Sequence, residues 1–185
     1  MTLLVIEVRA PAVESIRSST ELWHALRHAM PAIFAFVLSF TIVFITWVNH
    51  HAAIKLIPKT CASFIYANGL LLLMVAFLPF PTALLGEFVL TDHAGPAVML
   101  YNAVLAGLAV AWVVGSRAAL VNDLARDDEA AAIVRANGMN GVWAFVLYAA
   151  LAVAGLWAPR VVALVTTATW VFWLVLGARI KRAWD

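Results

Sequence analysis

Five long stretches of this chain contain no Asp, Glu, Lys or Arg, and they constrain its fold more than any other feature. They cover residues 29–54, 60–86, 93–116, 136–159 and 161–178. The hydrocarbon core of a bilayer is about 30 Å thick, and an apolar helix of roughly 20 residues crosses it. Helices are required because lipid offers no hydrogen-bond partner to an open backbone. The stretches therefore predict an all-α, polytopic helical membrane protein.

The composition excludes a soluble domain. Of the 185 residues, 65% are hydrophobic and only 12% are charged, whereas a soluble domain carries about 25% charged residues. The formal net charge of +2 is small, and the charges are spread between loops, so nothing indicates a nucleic-acid partner. We predict that the chain is embedded in the lipid bilayer.

We predict a single transmembrane domain over residues 1–185 that forms a six-span repeat. The apolar run over residues 1–8 covers only about 12 Å as a helix. We interpret it as the C-terminal half of an incomplete first span whose beginning is missing, so the true start of the protein is left open. The other five spans are expected at residues 31–49, 62–79, 97–116, 141–157 and 161–179.

Two polar segments between the spans carry helix signals. Ser18, followed by Glu21 three residues later, fits a capping box, which predicts a short surface helix leading into the second span near Pro31. Residues 117–138 are the most charged part of the chain and contain good helix formers. We expect this segment to extend the fourth span into water until Gly138 ends the helix.

Lys and Arg predict the orientation, because cytoplasmic loops of membrane proteins are enriched in them. If the N-terminus is cytoplasmic, the outer side receives four basic residues and the inner side receives eight. The eight are Lys55, Lys59, Arg117, Arg126, Arg135, Arg179, Lys181 and Arg182. The prediction is a multi-pass protein of the cell membrane with both termini in the cytoplasm.

Polar side chains at the inner end of the second span and inside the third are candidates for function. Trp47, His50 and His51 lie at the boundary of the second span, and Asn68 lies well inside the third apolar stretch. An amide in lipid needs a partner on another helix, so Asn68 is expected to reach the cluster formed by Trp47 to His50. Two interpretations stay open: the residues are interfacial anchors and interhelical contacts, or they are a working part of a pore.

No arrangement of residues in this sequence indicates enzymatic chemistry. His50 and His51 point about 100° apart on one helix, and no two histidines are placed on two spans at one depth for haem or a metal. The chain also lacks a Ser-His-Asp constellation and a glycine-rich phosphate loop. We predict that it is not an enzyme and has no cofactor and no metal site; a haem-binding redox protein is the weakest alternative.

Three sequence blocks together resemble a known family. They are Trp47-Val48-Asn49-His50-His51, Asn68-Gly69-Leu70-Leu71-Leu72-Leu73 and Leu78-Pro79-Phe80-Pro81-Thr82-Ala83-Leu84-Leu85-Gly86. The chain resembles prokaryotic members of the transmembrane protein 175 family, which are tetrameric potassium-selective channels with six spans per repeat. The resemblance implies a subunit of a homotetrameric potassium channel, with potassium as the permeant ion and no cofactor. A non-conducting helical membrane protein or assembly factor is the alternative from another class.

The resemblance also implies roles for particular residues. Thr2 matches the hydroxyl layer on the pore-lining first span, and Ile6 lies one helical turn further on. Trp47, His50 and Asn68 match positions that bond to an Arg-x-x-x-Phe-Ser-Asp motif, which would lie upstream of Met1. Simple packing against lipid or core is the competing interpretation for Thr2 and Ile6.

Overall fold

The computed structural model describes the backbone of residues 17–181 and the side chains of residues 17–170. Within these bounds every regular element is an α-helix, and no strand occurs. The helices are α1 Ser19–Lys55, α2 Ala62–Phe77, α3 Pro79–Phe88, α4 Ala94–Val121, α5 Asp128–Ala154 and α6 Pro159–Lys181. Four helical units are long and apolar enough to cross a membrane: Ser19–Lys55, Ala62–Phe88, Ala94–Val121 and Asp128–Ala154. The prediction of an all-α helical membrane protein is confirmed.

Helix α1 is longer than the sequence predicts. Its 37 residues correspond to about 55 Å, well beyond the apolar core of a bilayer. The hydroxyl of Ser18 caps it by accepting a hydrogen bond from the Glu21 amide. The sequence predicts a short helix that leads into the second span near Pro31; in the structure the two are one helix, which continues through Pro31. A proline removes one N–H from the ladder, and membrane bundles tolerate that loss when neighbouring helices support the backbone.

Helices α2 and α3 form one nearly continuous apolar unit with a break at Leu78. Pro79 occupies the first turn of α3, where its missing N–H costs least. The α3 helix lies very close to α1, because a Cβ atom added at Gly86 would lie 2.8 Å from the Ala32 Cα. This crossing uses a small residue to let two backbones approach, as membrane helix interfaces often do.

Helix α4 provides most of the described core. Val98, Tyr101, Leu105 and Leu108 are buried on it, and they share one hydrophobic cluster with residues of the other five helices. That cluster includes Val43, Leu71, Leu85, Tyr148 and Val162. A smaller cluster lies at the end of the bundle where α1 ends and α5 begins.

The segment between α4 and α5 corrects a second prediction. Helix α4 ends at Val121, where the Leu124 amide donates to the Ala119 carbonyl and Asp123 has a positive φ of 48°. These features form a Schellman-type cap. A new helix, α5, then starts at Asp128 and runs through Gly138, so the expectation that Gly138 ends a helix is wrong. The glycine is instead a packing residue, because a Cβ there would lie 3.1 Å from the Ser116 Cβ.

Candidate functional site

The polar residues predicted at the inner end of the second span lie on the last two turns of α1. His50 and Asn68 meet across the α1–α2 contact: His50 Nε2 and Asn68 Oδ1 are 2.7 Å apart. Since an amide oxygen only accepts, His50 donates this hydrogen bond from Nε2. The imidazole also contacts the Trp112 ring edge-on, with 6.3 Å between the ring centroids. Three helices therefore hold the histidine ring in a defined orientation.

The His50–Asn68 pair borders a small cavity of about 40 Å³ whose lining is otherwise mainly apolar. Both side chains are half-buried in the chain taken alone. Among the described residues neither His50 Nδ1 nor Asn68 Nδ2 has a hydrogen-bond partner. The pair therefore keeps one unused polar atom on each side chain, in a part of the protein where unused polar atoms are costly.

Trp47 does not join this pair. Its indole stacks on His51 one helical turn further, with 5.6 Å between ring centroids and 16° between ring planes. The indole is 58% exposed in the single chain, and it continues a row of rings that begins at Phe36, Phe40 and Phe44. Of the three residues predicted to support the pore helix, the structure brings two together. Thr2 and Ile6 lie outside the described residues.

A second polar cluster, which the sequence analysis missed, lies deep in the core. The hydroxyls of Ser39 on α1 and Thr82 on α3 are 2.6 Å apart, and the Ser39 hydroxyl is 3.2 Å from the Tyr101 hydroxyl on α4. The Thr82 hydroxyl also donates to the Leu78 carbonyl at 2.7 Å. All three side chains are at most 2% exposed. We refer to Ser39, Thr82 and Tyr101 as the sealed cluster.

Polar contacts also connect α4 and α5 to α6. The Thr166 hydroxyl donates to the Asn102 amide oxygen at 2.9 Å, and the Asn102 amide nitrogen donates to the Val98 carbonyl. The Tyr148 hydroxyl lies 3.2 Å from the Thr169 hydroxyl. Buried polar groups in a membrane protein require such partners, and these contacts fix the register of α6 against its neighbours.

The described side chains offer no group that could hold a metal ion. Among residues 17–170 no three His, Cys, Asp or Glu side chains converge. The site consists of hydrogen-bonding groups on apolar helices: an imidazole, amides, hydroxyls and indoles. Such groups can bond to another helix or to a dehydrated ion, but they do not form a nucleophile with an adjacent base.

Comparison with known proteins finds similarity to one family of channels. Residues 1–79 match the sequence profile of the family described as endosomal/lysosomal potassium channel TMEM175. A potassium channel of Chamaesiphon minutus is 38% identical over 112 residues, which are 60% of this chain and 55% of that protein. Over these residues the chain is similar to the TMEM175 family. A potassium channel of Streptomyces collinus is 34% identical over 113 residues, 60% of this chain and 53% of that protein.

A solved structure extends the TMEM175 similarity over nearly the whole chain. It is the crystal structure of a lysosomal potassium-selective channel TMEM175 homolog from Chamaesiphon minutus, with a TM-score of 0.78 and 28% sequence identity. The match covers 95% of this chain and 89% of that chain. By sequence, the chain spans about half the length of the curated relatives it matches. Both of these relatives are named potassium channels.

Proposed function

We propose that this chain is the subunit of a potassium-selective cation channel in the cell membrane. One observation carries the proposal: the similarity in three dimensions to a potassium-selective channel covers 95% of the chain, including the helices that hold the His50–Asn68 pair. The resemblance of the sequence blocks around these residues and around Thr82 supports the same conclusion. No cofactor takes part, and the permeant species is the potassium ion.

In this proposal the first span lines a pore at the axis of a homotetramer, and each chain contributes one six-span repeat. Thr2 and Ile6 face the axis from that span. Four Thr2 hydroxyls supply oxygen ligands to an ion that has shed part of its hydration shell. A weak oxygen ring favours potassium because selectivity depends on the number and field strength of the ligands as well as on cavity size.

The His50–Asn68 pair supports the pore helix from behind. His50 Nδ1 and Asn68 Nδ2 have no partner among the described residues, so they are available to polar groups on the first span. The neighbouring Trp47 indole is 58% exposed in the single chain and provides an apolar surface for the same helix. Both termini lie in the cytoplasm, on the side where most Lys and Arg are expected.

The pore assignment is tested by replacing Thr2. Thr2→Val keeps the shape of the side chain and removes the hydroxyl, so we expect a smaller preference for potassium over sodium. Thr2→Ser is the control and should keep most of the preference. Reversal potentials under potassium and sodium gradients measure both variants, and an unchanged permeability ratio in Thr2→Val would remove Thr2 from the pore.

Conduction itself is tested with purified protein in liposomes. The proposal predicts potassium efflux that exceeds sodium efflux under matched gradients, and a particle of four chains by light scattering in detergent. Protein-free liposomes are the control. A folded chain that carries no potassium would favour the non-conducting alternative.

A further inference from the structure

A cleft of about 170 Å³ opens between α1, α4, α5 and α6. Trp112 lies on the wall between this cleft and the small cavity of the His50–Asn68 pair, because it lines both. The cleft is distinct from the sealed cluster, because Ser39, Thr82 and Tyr101 do not line it.

The cleft has a polar part and an apolar part. Thr46, Asn49, Asn137 and Asn140 line it on the side toward the end of α1 and the start of α5, and Leu56 and Ile133 lie beyond them. Leu105 on α4 and Trp170 on α6 line the deeper part, which points toward the middle of the bundle. A molecule that fits both parts has a polar head and an apolar tail.

The polar lining has unused hydrogen-bonding capacity. In the part of the chain that the structure describes, the side-chain amides of Asn49, Asn137 and Asn140 form no hydrogen bond. These amide N–H groups can donate to a molecule that supplies acceptor atoms to this cleft.

Positive charge flanks the same end of the cleft. Lys55 lies between the lining residues Ala53 and Leu56 on α1, and Arg135 lies between the lining residues Ile133 and Asn137 on α5. Both are exposed, and neither forms an ion pair within residues 17–170. Basic groups at a membrane surface attract anionic lipid heads.

We propose that the cleft binds an anionic amphiphile, with an oxyanion head at the asparagine end and one alkyl chain between α4, α5 and α6. The Asn49 and Asn137 amides donate to the head, while Lys55 and Arg135 supply its counter-charge. A phospholipid that inserts one acyl chain and a free fatty acid share this chemistry. The proposal does not depend on whether the chain conducts potassium.

Native mass spectrometry of the delipidated full chain in a nonionic detergent tests the proposal. The probes are phosphatidylglycerol, oleate and phosphatidylcholine. We expect one saturable molecule of an anionic probe per chain, bound more tightly than phosphatidylcholine, and a rise in melting temperature with the same probe. Binding of phosphatidylglycerol alone identifies a phospholipid site, and binding of oleate alone identifies a fatty-acid site. Equal affinity for all three probes would overturn the proposal.

Paired variants locate the site. Asn49→Leu with Asn137→Leu should weaken binding about tenfold, because two hydrogen bonds to the head are lost; Asn122→Leu, outside the cleft, should not. If the leucine variants do not fold, the double variant Lys55→Gln with Arg135→Gln tests the same site, because it changes only exposed residues. This double variant should lose the preference for anionic probes. The control, Arg27→Gln with Arg160→Gln, should keep that preference. Unchanged affinity in the Lys55 and Arg135 pair would contradict the assignment.

Discussion

Helix α1 carries two polar side chains in contrasting settings, eleven residues apart. Ser39 is completely buried in the sealed cluster, where it contacts hydroxyls from two other helices. His50 is half-buried, and it makes one hydrogen bond to Asn68. The two side chains show that polar groups occupy two kinds of surroundings in this helical bundle. The sealed cluster joins three helices through hydroxyls, whereas the His50–Asn68 pair, called the half-open pair below, leaves one polar atom on each side chain without a partner among the described residues.

The two regions also differ in how tightly their backbones pack. Near the sealed cluster, α1 and α3 approach so closely that Gly86 has no room for a Cβ beside Ala32. Near the half-open pair, Gly69 has no atom within 4 Å of an added Cβ, although it directly follows Asn68. We therefore expect substitutions in the first region to change folding most strongly, and substitutions in the second to change assembly and conduction.

The largest effect on stability is expected from Gly86→Ala. The added Cβ would lie 2.8 Å from the Ala32 Cα, so the two backbones must separate, at a cost of about 1–3 kcal/mol. Gly69→Ala is the matched control and should be neutral or slightly stabilising, because alanine favours helices. Thermal unfolding in detergent measures both variants. Equal melting temperatures for the two would show that the tight α1–α3 crossing does not hold the fold.

A smaller loss is expected from Thr82→Val in the sealed cluster. The substitution keeps the shape but leaves the Ser39 hydroxyl with fewer partners, which costs about 1–2 kcal/mol. Thr41→Val is the control, because the exposed Thr41 hydroxyl bonds only to the Val37 carbonyl of its own helix. If both variants unfold alike, the sealed cluster contributes no more than an exposed hydroxyl.

Asn68→Leu should cost about 1 kcal/mol, because it removes one interhelical hydrogen bond. The effect should appear in assembly of the proposed tetramer as well as in unfolding. Combining it with His50→Phe should be less than additive, since both substitutions remove the same contact. Light scattering and thermal unfolding report the two effects. Strict additivity would show that the residues act independently.

The smallest effect is expected at Asp127, which caps α5 outside the membrane. The Ala130 amide and, secondarily, the Arg126 guanidinium hold the pKa of this carboxyl below its ordinary value of about 3.9. A lowered pKa in the folded state stabilises the protein above the ordinary pKa, and this stabilisation is lost as the pH falls through the lowered value.

The variant Asp127→Asn keeps an oxygen that can cap the helix but cannot titrate. Its stability should therefore fall less than that of the parent when the pH is lowered from 7 to 3. Asp128→Asn is the control and should follow the parent. Thermal unfolding at the two pH values is the measurement, and identical behaviour of Asp127→Asn and the parent would contradict this role.

The half-open pair could be predicted from the sequence, whereas the sealed cluster could not. Asn68 is an amide inside a long apolar run, and such a group needs a partner on a neighbouring helix. The turn between consecutive helices then limits the choice to residues near the end of α1. Ser39, Thr82 and Tyr101 give no such signal, because a hydroxyl can bond to its own helix, as Thr41 does. Their contact depends on where three helices cross.

The wrong prediction that a helix ends at Gly138 has the same cause, namely that a single sequence does not show where helices cross. A glycine after a charged segment is a common helix end, and that rule considers only local backbone preference. The helix in fact ends earlier, at a cap around Asp123, and Gly138 lies where α5 passes close to Ser116 on α4. Close helix crossings are tertiary features, so a single sequence does not distinguish a packing glycine from a capping glycine.

We propose that the half-open pair supports a potassium-conducting assembly, whereas the sealed cluster holds the fold. The decisive measurement is potassium flux into liposomes, divided by the amount of folded protein, for the parent, Asn68→Leu and Ser39→Ala. We expect selective potassium flux in the parent, a clear reduction per folded chain in Asn68→Leu, and parent-like flux per folded chain in Ser39→Ala. Flux per folded chain that is lost in Ser39→Ala but kept in Asn68→Leu, or a folded parent without potassium flux, would contradict it.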